Sequence, residues 1–366
     1  MKLEVFVEKI RSFLQNAERI SGKNLSLPVL SGVSLSVKDK KLIIKATNLD
    51  IGVEFSLPVK VYKEGVVVVP ASVLGSFVGL LKDGEKLILE LSDNNLLLNS
   101  ENSSASLKTF LAEDFPSIPA PSGGVSVEIP LPFFVGGLRS VYYSASVSNI
   151  KPELASVFIY TYETFLVFVA TDSFRLAEKK VTLPKSLNIP PTLIPLKNIS
   201  EIIRILETFP KETSIRFAEH QIVFEAPNMR VVSRVIDGAF PDYKQIIPKD
   251  ISTKATVLKQ DIAQALKAAN VFSDNFHQLY FSINPKEGKF IVKSKNNEVG
   301  ENTTSIKAAL EGDLVDISFN YKYLVDFVGV VNSDSVIFSW SGSGKPLVLR
   351  GVGDSSFTYL VMPMNR

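Results

Sequence analysis

Gly342-Ser343-Gly344-Lys345 is the stretch most suggestive of catalysis, because small residues leading into a lysine resemble the end of a phosphate-binding loop. The surroundings do not support it. Pro346 stands where that loop needs Ser or Thr, the upstream glycine is missing, and the following residues read as a strand instead of a helix. His220 and His277 are isolated and lack metal-ligand spacing. Asp172 and Asp242 could in principle form an acid/base pair, but nothing in the sequence fixes their separation, and Asp242 is expected to cap the turn after Pro241. With no cysteine there is no thiolate nucleophile, disulfide frame or zinc-cysteine site, which fits a reducing cytoplasm. The Asn-x-Ser/Thr triplets at Asn24, Asn102, Asn198 and Asn302 carry meaning only in a secreted chain. These residues call for no catalytic centre, metal or cofactor.

A different stretch organises the chain. Ala170-Thr171-Asp172-Ser173-Phe174-Arg175-Leu176-Ala177 follows the apolar run Leu166–Ala170 and sets a charged Arg between Phe174 and Leu176. It has relatives: Ala46-Thr47-Asn48-Leu49-Asp50 lies 124 residues upstream, and Ser294-Lys295-Asn296 lies 123 downstream of Thr171. Pro70, Pro195 and Asn320, which open predicted helices, are 125 residues apart, as are Phe115-Pro116 and Phe240-Pro241. Agreement among these markers indicates three copies of one domain.

The elements follow the same register. Apolar stripes at helical spacing predict helices over Phe6–Ile20 (Phe6, Ile10, Phe13, Leu14, Ala17, Ile20), Pro70–Leu81, Pro132–Ala145 (Phe133, Phe134, Leu138, Val141, Ala145), Ile194 onward (Ile199, Ile202, Ile203, Leu206), Leu258–Val271 and Tyr321–Val331. Strand-like runs fill the intervals, including Val33–Val37, Leu42–Ala46, Val53–Val61, Leu166–Ala170 and Phe357–Met362. Pro116–Gly124, rich in Pro, Gly and Ser, reads as a linker, and Pro248-Lys249-Asp250 marks a second boundary. Each copy is an α+β unit with helices on one face of a mostly antiparallel sheet, and the expected domains are residues 1–120, 121–249 and 250–366.

A chain of 366 residues with 45% hydrophobic content can bury several cores. No apolar run reaches membrane-spanning length, and Glu4 and Glu8 interrupt the N-terminal apolar residues, against a signal peptide. A net charge of +2 excludes a bulk polycation, so nucleic-acid contact would rest on local placement of charge.

The whole chain resembles the bacterial β sliding clamp family, the processivity subunit of DNA polymerase III. The resemblance rests on Ser26-Leu27-Pro28-Val29-Leu30, Ala170-Thr171-Asp172 with Arg175-Leu176-Ala177, Asp237-Gly238 with Phe240-Pro241-Asp242-Tyr243, and Val361-Met362-Pro363-Met364. It implies three tandem clamp-type domains, antiparallel sheets outside and helices inside, in a head-to-tail homodimeric ring around duplex DNA. It also implies no catalysis of its own and a location in the bacterial cytoplasm, associated with the nucleoid and not with membrane. The implied partners are a clamp loader, the replicative polymerase and other proteins carrying a clamp-binding motif.

Residue by residue, the resemblance implies a peptide cleft at Leu154, Thr171, Asp172, Phe174, Arg175, Leu176, Pro241, Ile246, Tyr323, Met362, Pro363 and Met364. Methionines suit a site that accepts many peptides, since their side chains repack readily; the same residues read alone could be terminal-strand core, and Arg175 a structural ion pair. Partner peptides of the family present a Gln and a short apolar/aromatic pair. Ser173-Phe174 and Gln245 depart from the family's frequent Gly-His and Arg, implying a bulkier and less basic rim. Sequence-independent DNA attraction would come from phosphate contacts at Lys9, Arg19, Lys23, Arg139, Lys197, Arg204, Lys267 and Lys322; individually these could be ordinary solvated helix residues. The ring joint would use Leu107 on one side and Val271 and Phe272 on the other. The remaining alternative is a threefold-repeat enzyme or sugar-binding protein with a small ligand between domains.

Overall fold

A computed structural model describes residues 1–22, 26–119, 123–183, 185–208, 213–342 and 344–364. The six α-helices among them, besides short 3-10 turns, are α1 (Val7–Ile20), α2 (Ala71–Leu80), α3 (Leu131–Val141), α4 (Leu196–Thr208), α5 (Lys259–Val271) and α6 (Tyr321–Val330). They match the six apolar stripes, with two local differences. Phe6 is exposed at the end of strand Lys2–Phe6, and Val7 takes its place in the buried stripe of α1. Phe133 is likewise exposed, while Val135 faces inward beside Phe134 and Leu138.

The chain divides into two units, Met1–Pro132 with Lys197–Val235, and Phe133–Leu196 with Ile236–Arg366. The middle repeat is therefore shared between them. In the first unit a five-stranded sheet runs in the order Lys60–Lys63, Lys2–Phe6, Lys86–Ser92, Asn95–Asn99, Ser104–Lys108. Its eight-stranded companion joins Met229–Arg234 of the middle repeat to Ile51–Pro58 of the first, with Val231 opposite Val53. The predicted strand Val53–Val61 is in fact two strands in different sheets, broken at Pro58, beyond which Lys60–Lys63 pairs with Lys2–Phe6.

The second unit repeats the device. A nine-stranded sheet sets Arg175–Thr182 of the middle repeat against Phe357–Val361 of the last, with Leu176 opposite Leu360, and a four-stranded sheet ends at the open strand Gly300–Ile306. All pairings among the described strands are antiparallel.

Strands covered on one face alternate in the expected way: Leu279, Phe281 and Ile283 point inward along Gln278–Asn284. Phe165–Thr171 does not alternate, because both its faces are covered. Phe168 meets α3 through Phe134, while Val167 and Val169 pack with Leu176, Tyr243, Val348 and Leu360 beneath the segment that follows Phe240. A continuous apolar run is what such a doubly covered strand requires.

Gly137 is needed for α3 to lie this close to the sheet, since a Cβ there would stand 2.3 Å from the buried Phe168 ring. The neighbouring Gly136 faces open space. Gly137→Ala is therefore expected to destabilise the protein by roughly 1–3 kcal/mol through overpacking. Gly136→Ala should instead stabilise the helix by up to about 1 kcal/mol. Paired urea-unfolding curves would separate the two; equal shifts would contradict this packing.

Candidate functional site

The Thr171–Arg175 segment is a tight hairpin turn closed by its own side chains. Thr171 Oγ1 donates to Arg175 O (2.6 Å) and accepts from Ser173 N (3.1 Å), while Asp172 Oδ1 accepts from the backbone N–H groups of Phe174 and Arg175 (both 3.0 Å). The turn at Thr47–Ile51 has the same scheme, with Asn48 in the place of Asp172. Ser173 and Leu49 occupy the corresponding left-handed position, at φ +78° and +76°. The third relative is built differently: Asn296 Oδ1 accepts from Glu298 N (2.8 Å) and its amide donates to Ser273 O (2.9 Å).

Both matching turns are tied to a helix of the following repeat. At the first, Asn198 of α4 donates to Asp50 O (3.3 Å) and Lys197 pairs with the Asp50 carboxylate (2.6 Å). At the second, Arg175 pairs with Asp326 of α6 and with Asp172 (2.9 Å), and donates to Tyr143 O (2.5 Å). Its guanidinium lies 4.6 Å from the centre of the Tyr323 ring. Burial opposes the charge, but Tyr359, Asp326 and Asp172 outweigh it and carry the Arg175 pKa above the usual guanidinium range. Of the two sequence readings of Arg175, the ion pair is present, and its guanidinium lies near the Tyr143 and Tyr323 rings. Asp326 and Tyr143 went unnoticed in the sequence. The available signal was that Asp326 is the only acid in α6, in reach of an arginine needing a partner.

The C-terminal segment crosses beside this turn: Met362 N donates to Phe174 O (2.8 Å) and Met364 N to Ser318 O (2.8 Å). Leu154, Thr171 and Leu176 are buried and line neither of the grooves nearby. Phe174, Pro241, Ile246 and Met362 are exposed. Two grooves result. One of about 440 Å³ is lined by Ile246, Pro248, Pro346 and Met362 with Gln245 and Lys249 at its side. The other, about 620 Å³, runs along Tyr280, Asp316, Ser318 and Trp340 to Pro363 and Met364. Apolar walls with a few polar groups suit short peptides.

Asp242 does not cap the short helix Tyr243–Ile246 with its side chain; the carboxylate accepts from Gln245 Nε2 at 2.6 Å instead. Behind it, Tyr243 donates to the buried Glu178 and lies 2.8 Å from the Tyr160 hydroxyl. Burial first, then these partners, push the Tyr243 pKa well up. The glycine-lysine stretch leads into strand Leu347–Gly351, as its sequence indicates, and Ser343 lies outside the described residues. His220 is exposed beside Glu219, and His277 sits near Ser273.

The candidate phosphate contacts divide into groups. Lys9, Arg19, Arg139, Lys267 and Lys322 are exposed on their helices. Lys197 is engaged by Asp50, and Arg204 by Glu201 and Asn16. Burial and then the nearby Arg19 bring the Arg204 pKa down to about 10, still charged at neutral pH. Arg19 and Arg204 share a polar groove of about 750 Å³ with Ser12, Gln15 and Asn16. Lys23 lies outside the described residues.

Of the expected joint residues, Leu107 is already buried within a single copy of the chain, its strand position opposite Leu96. The strand Ser104–Lys108 presents its open backbone edge and the outward Ser104, Ser106 and Lys108. Val271 is exposed, and the half-buried Phe272 lies against Gly300 at the other open edge. Phe276, four residues after Phe272, is 73% exposed.

Comparison with known proteins covers the whole length. Three family profiles match in order: "DNA polymerase III beta subunit, N-terminal domain" at residues 1–119, "central domain" at 132–242 and "C-terminal domain" at 244–365. The Beta sliding clamp of Staphylococcus aureus is 25% identical over 351 residues, covering 93% of this chain and 92% of its own. Among solved structures, the DNA polymerase III beta subunit of Thermotoga maritima superposes with a TM-score of 0.94 at 25% identity, covering 100% of this chain and 99% of that one. The Pseudomonas aeruginosa subunit, at 23% identity and full coverage of both chains, gives 0.93 and supports the fold.

Replacing Arg175 with Met keeps bulk but leaves Asp172 and Asp326 without their cation. Asp326 is 39% exposed, which places the loss between that of a surface pair and a buried one. We expect a cost of about 2 kcal/mol, read as a lower urea midpoint. A midpoint equal to wild type would show that the pair contributes nothing to stability.

Proposed function

The chain belongs to the DNA polymerase III beta subunit family, and from that premise we propose how its own residues carry out the family's work. It is a DNA sliding clamp, a processivity factor without catalysis, and the family implies a homodimeric ring with DNA and polymerase as partners. The proposal divides it into clamp domains at residues 1–120, 121–249 and 250–366. Lys9, Arg19, Lys267 and Lys322 would meet phosphates, with Arg139 and the already paired Lys197 and Arg204 adding to the field; Lys23 would join them. Such contacts carry no sequence information, so DNA is retained by topology and remains free to slide.

The two grooves around Met362–Met364 are the proposed peptide cleft. Ile246, Pro241 and Met362 would take the apolar pair, supported by the buried Leu154, Thr171 and Leu176, and Tyr323, Pro363 and Met364 would continue it. Asp172 and Arg175 would hold its shape, and Phe174 would narrow its rim. A clamp loader, a replicative polymerase subunit and other motif-bearing proteins are the proposed partners, and the bacterial cytoplasm, at the nucleoid, the proposed location. No helix among the described residues is long and apolar enough to cross a membrane.

The ring joint is proposed between the open edges Ser104–Lys108 and Gly300–Ile306 of successive copies. Unpaired edges of this kind accept another strand readily, and Phe272, against Gly300, would supply apolar surface beside one of them, with Val271 exposed at the end of the same helix.

The observation that carries the reading is the in-order match of all three domain profiles over nearly the whole chain. With a bacterial clamp loader and ATP, the protein should remain on nicked circular DNA through gel filtration and run off once the circle is linearised. Equal retention on both forms would mean ordinary phosphate binding. Phe272→Asp should convert the dimer into a folded monomer, because a carboxylate desolvated in an apolar joint costs several kcal/mol. A dimer persisting in sedimentation would move the joint elsewhere.

A further inference from the structure

A continuous line of polar contacts runs from α6 to the C-terminal methionines. Asp326 pairs with Arg175, Arg175 pairs with Asp172 at 2.9 Å, and Asp172 Oδ1 accepts from the N–H groups of Phe174 and Arg175. Phe174 O then accepts from Met362 N at 2.8 Å. Asp326 lines neither groove beside Met362, Pro363 and Met364. We propose that Asp326 is a positioning residue for the peptide cleft, fixing the placement of Met362 through Arg175 and the Asp172–Arg175 turn.

The physical case rests on what each link constrains. Arg175 has one rigid fork and several partners: two carboxylates, the Tyr143 carbonyl and the Tyr323 ring. Removing the Asp326 charge frees one arm, and the guanidinium can then follow Asp172 and Tyr143 away from α6. The turn it anchors holds Ser173 in a left-handed conformation that a serine does not favour. That conformation persists because Asp172 and Thr171 over-determine it. A shift in Arg175 is thus transmitted to Phe174 O, the acceptor that sets where Met362 begins. The helix also carries Tyr323, whose ring the guanidinium covers, so the same pair fixes the aromatic wall and the methionine wall relative to each other.

The proposal rests on the cleft reading for its functional consequence, and the test separates the two. The chain has four methionines, Met1, Met229, Met362 and Met364, so methyl-labelled methionine gives a direct report on the segment. In Asp326→Asn the Met362 methyl resonance should move while Met1 and Met229 stay in place, and Asp326→Glu should restore it in large part. Anisotropy with a fluorescein-labelled peptide carrying a Gln followed by Leu-Phe should show affinity falling about fivefold in Asp326→Asn and recovering in Asp326→Glu. An unmoved Met362 signal would overturn the positioning role, as would a peptide affinity unchanged in Asp326→Asn. If the peptide leaves the Met362 and Met364 signals of the wild type undisturbed, the cleft reading fails. The Asp326→Asn spectrum without peptide still decides the structural half. A Met1 and Met229 response equal to that of Met362 would show general loosening and overturn the proposal.

Discussion

A guanidinium taken largely out of water has to be surrounded, and at Arg175 that requirement shapes the second unit. Its partners come from three places: Asp172 in its own turn, the Tyr143 carbonyl after α3, and Asp326 on a helix 151 residues downstream. Leaving both carboxylates out would strand a largely buried charge, which is far costlier than the net worth of the pair. The hairpin, the end of α3 and α6 are therefore held in one arrangement by a single side chain. The nine-stranded sheet supplies the apolar energy of that seam, and the arginine supplies its geometry.

The first seam solves the same problem with opposite signs. There the anion, Asp50, belongs to the turn and the cation, Lys197, to the helix. Where the second turn begins its strand with Arg175, the first has the buried Ile51. One backbone device, a Thr-Asn or Thr-Asp turn with a left-handed third residue, thus serves two seams. The side-chain-to-backbone hydrogen-bonding scheme is the same in both turns while the charges around it differ.

Much of this was legible in the residues. Helical stripes such as Ile199, Ile202, Ile203 and Leu206 report burial directly, and the spacing of Pro70, Pro195 and Asn320 reports repetition. Strand Arg175–Thr182 was not legible, because Glu178, Lys179 and Lys180 break its alternation: Glu178 is buried against Tyr243 while the lysines reach water. The split at Pro58 was hidden for a similar reason, since Val53–Val61 is apolar enough to read as one strand. The candidate cleft was legible as a set of residue types, but not as geometry. Nothing local indicates that Leu176 is buried away from both grooves, that Pro363 and Met364 border a different groove from Ile246, or that Arg175 is answered from α6.

The third relative of the turn, around Asn296, lacks the scheme that its two counterparts share. The two seams that do use it each join parts of one polypeptide, so their partners meet at an effective concentration fixed by the chain and not by the amount of protein present. Dilution therefore leaves both seams closed, whereas any contact with a second molecule would follow protein concentration.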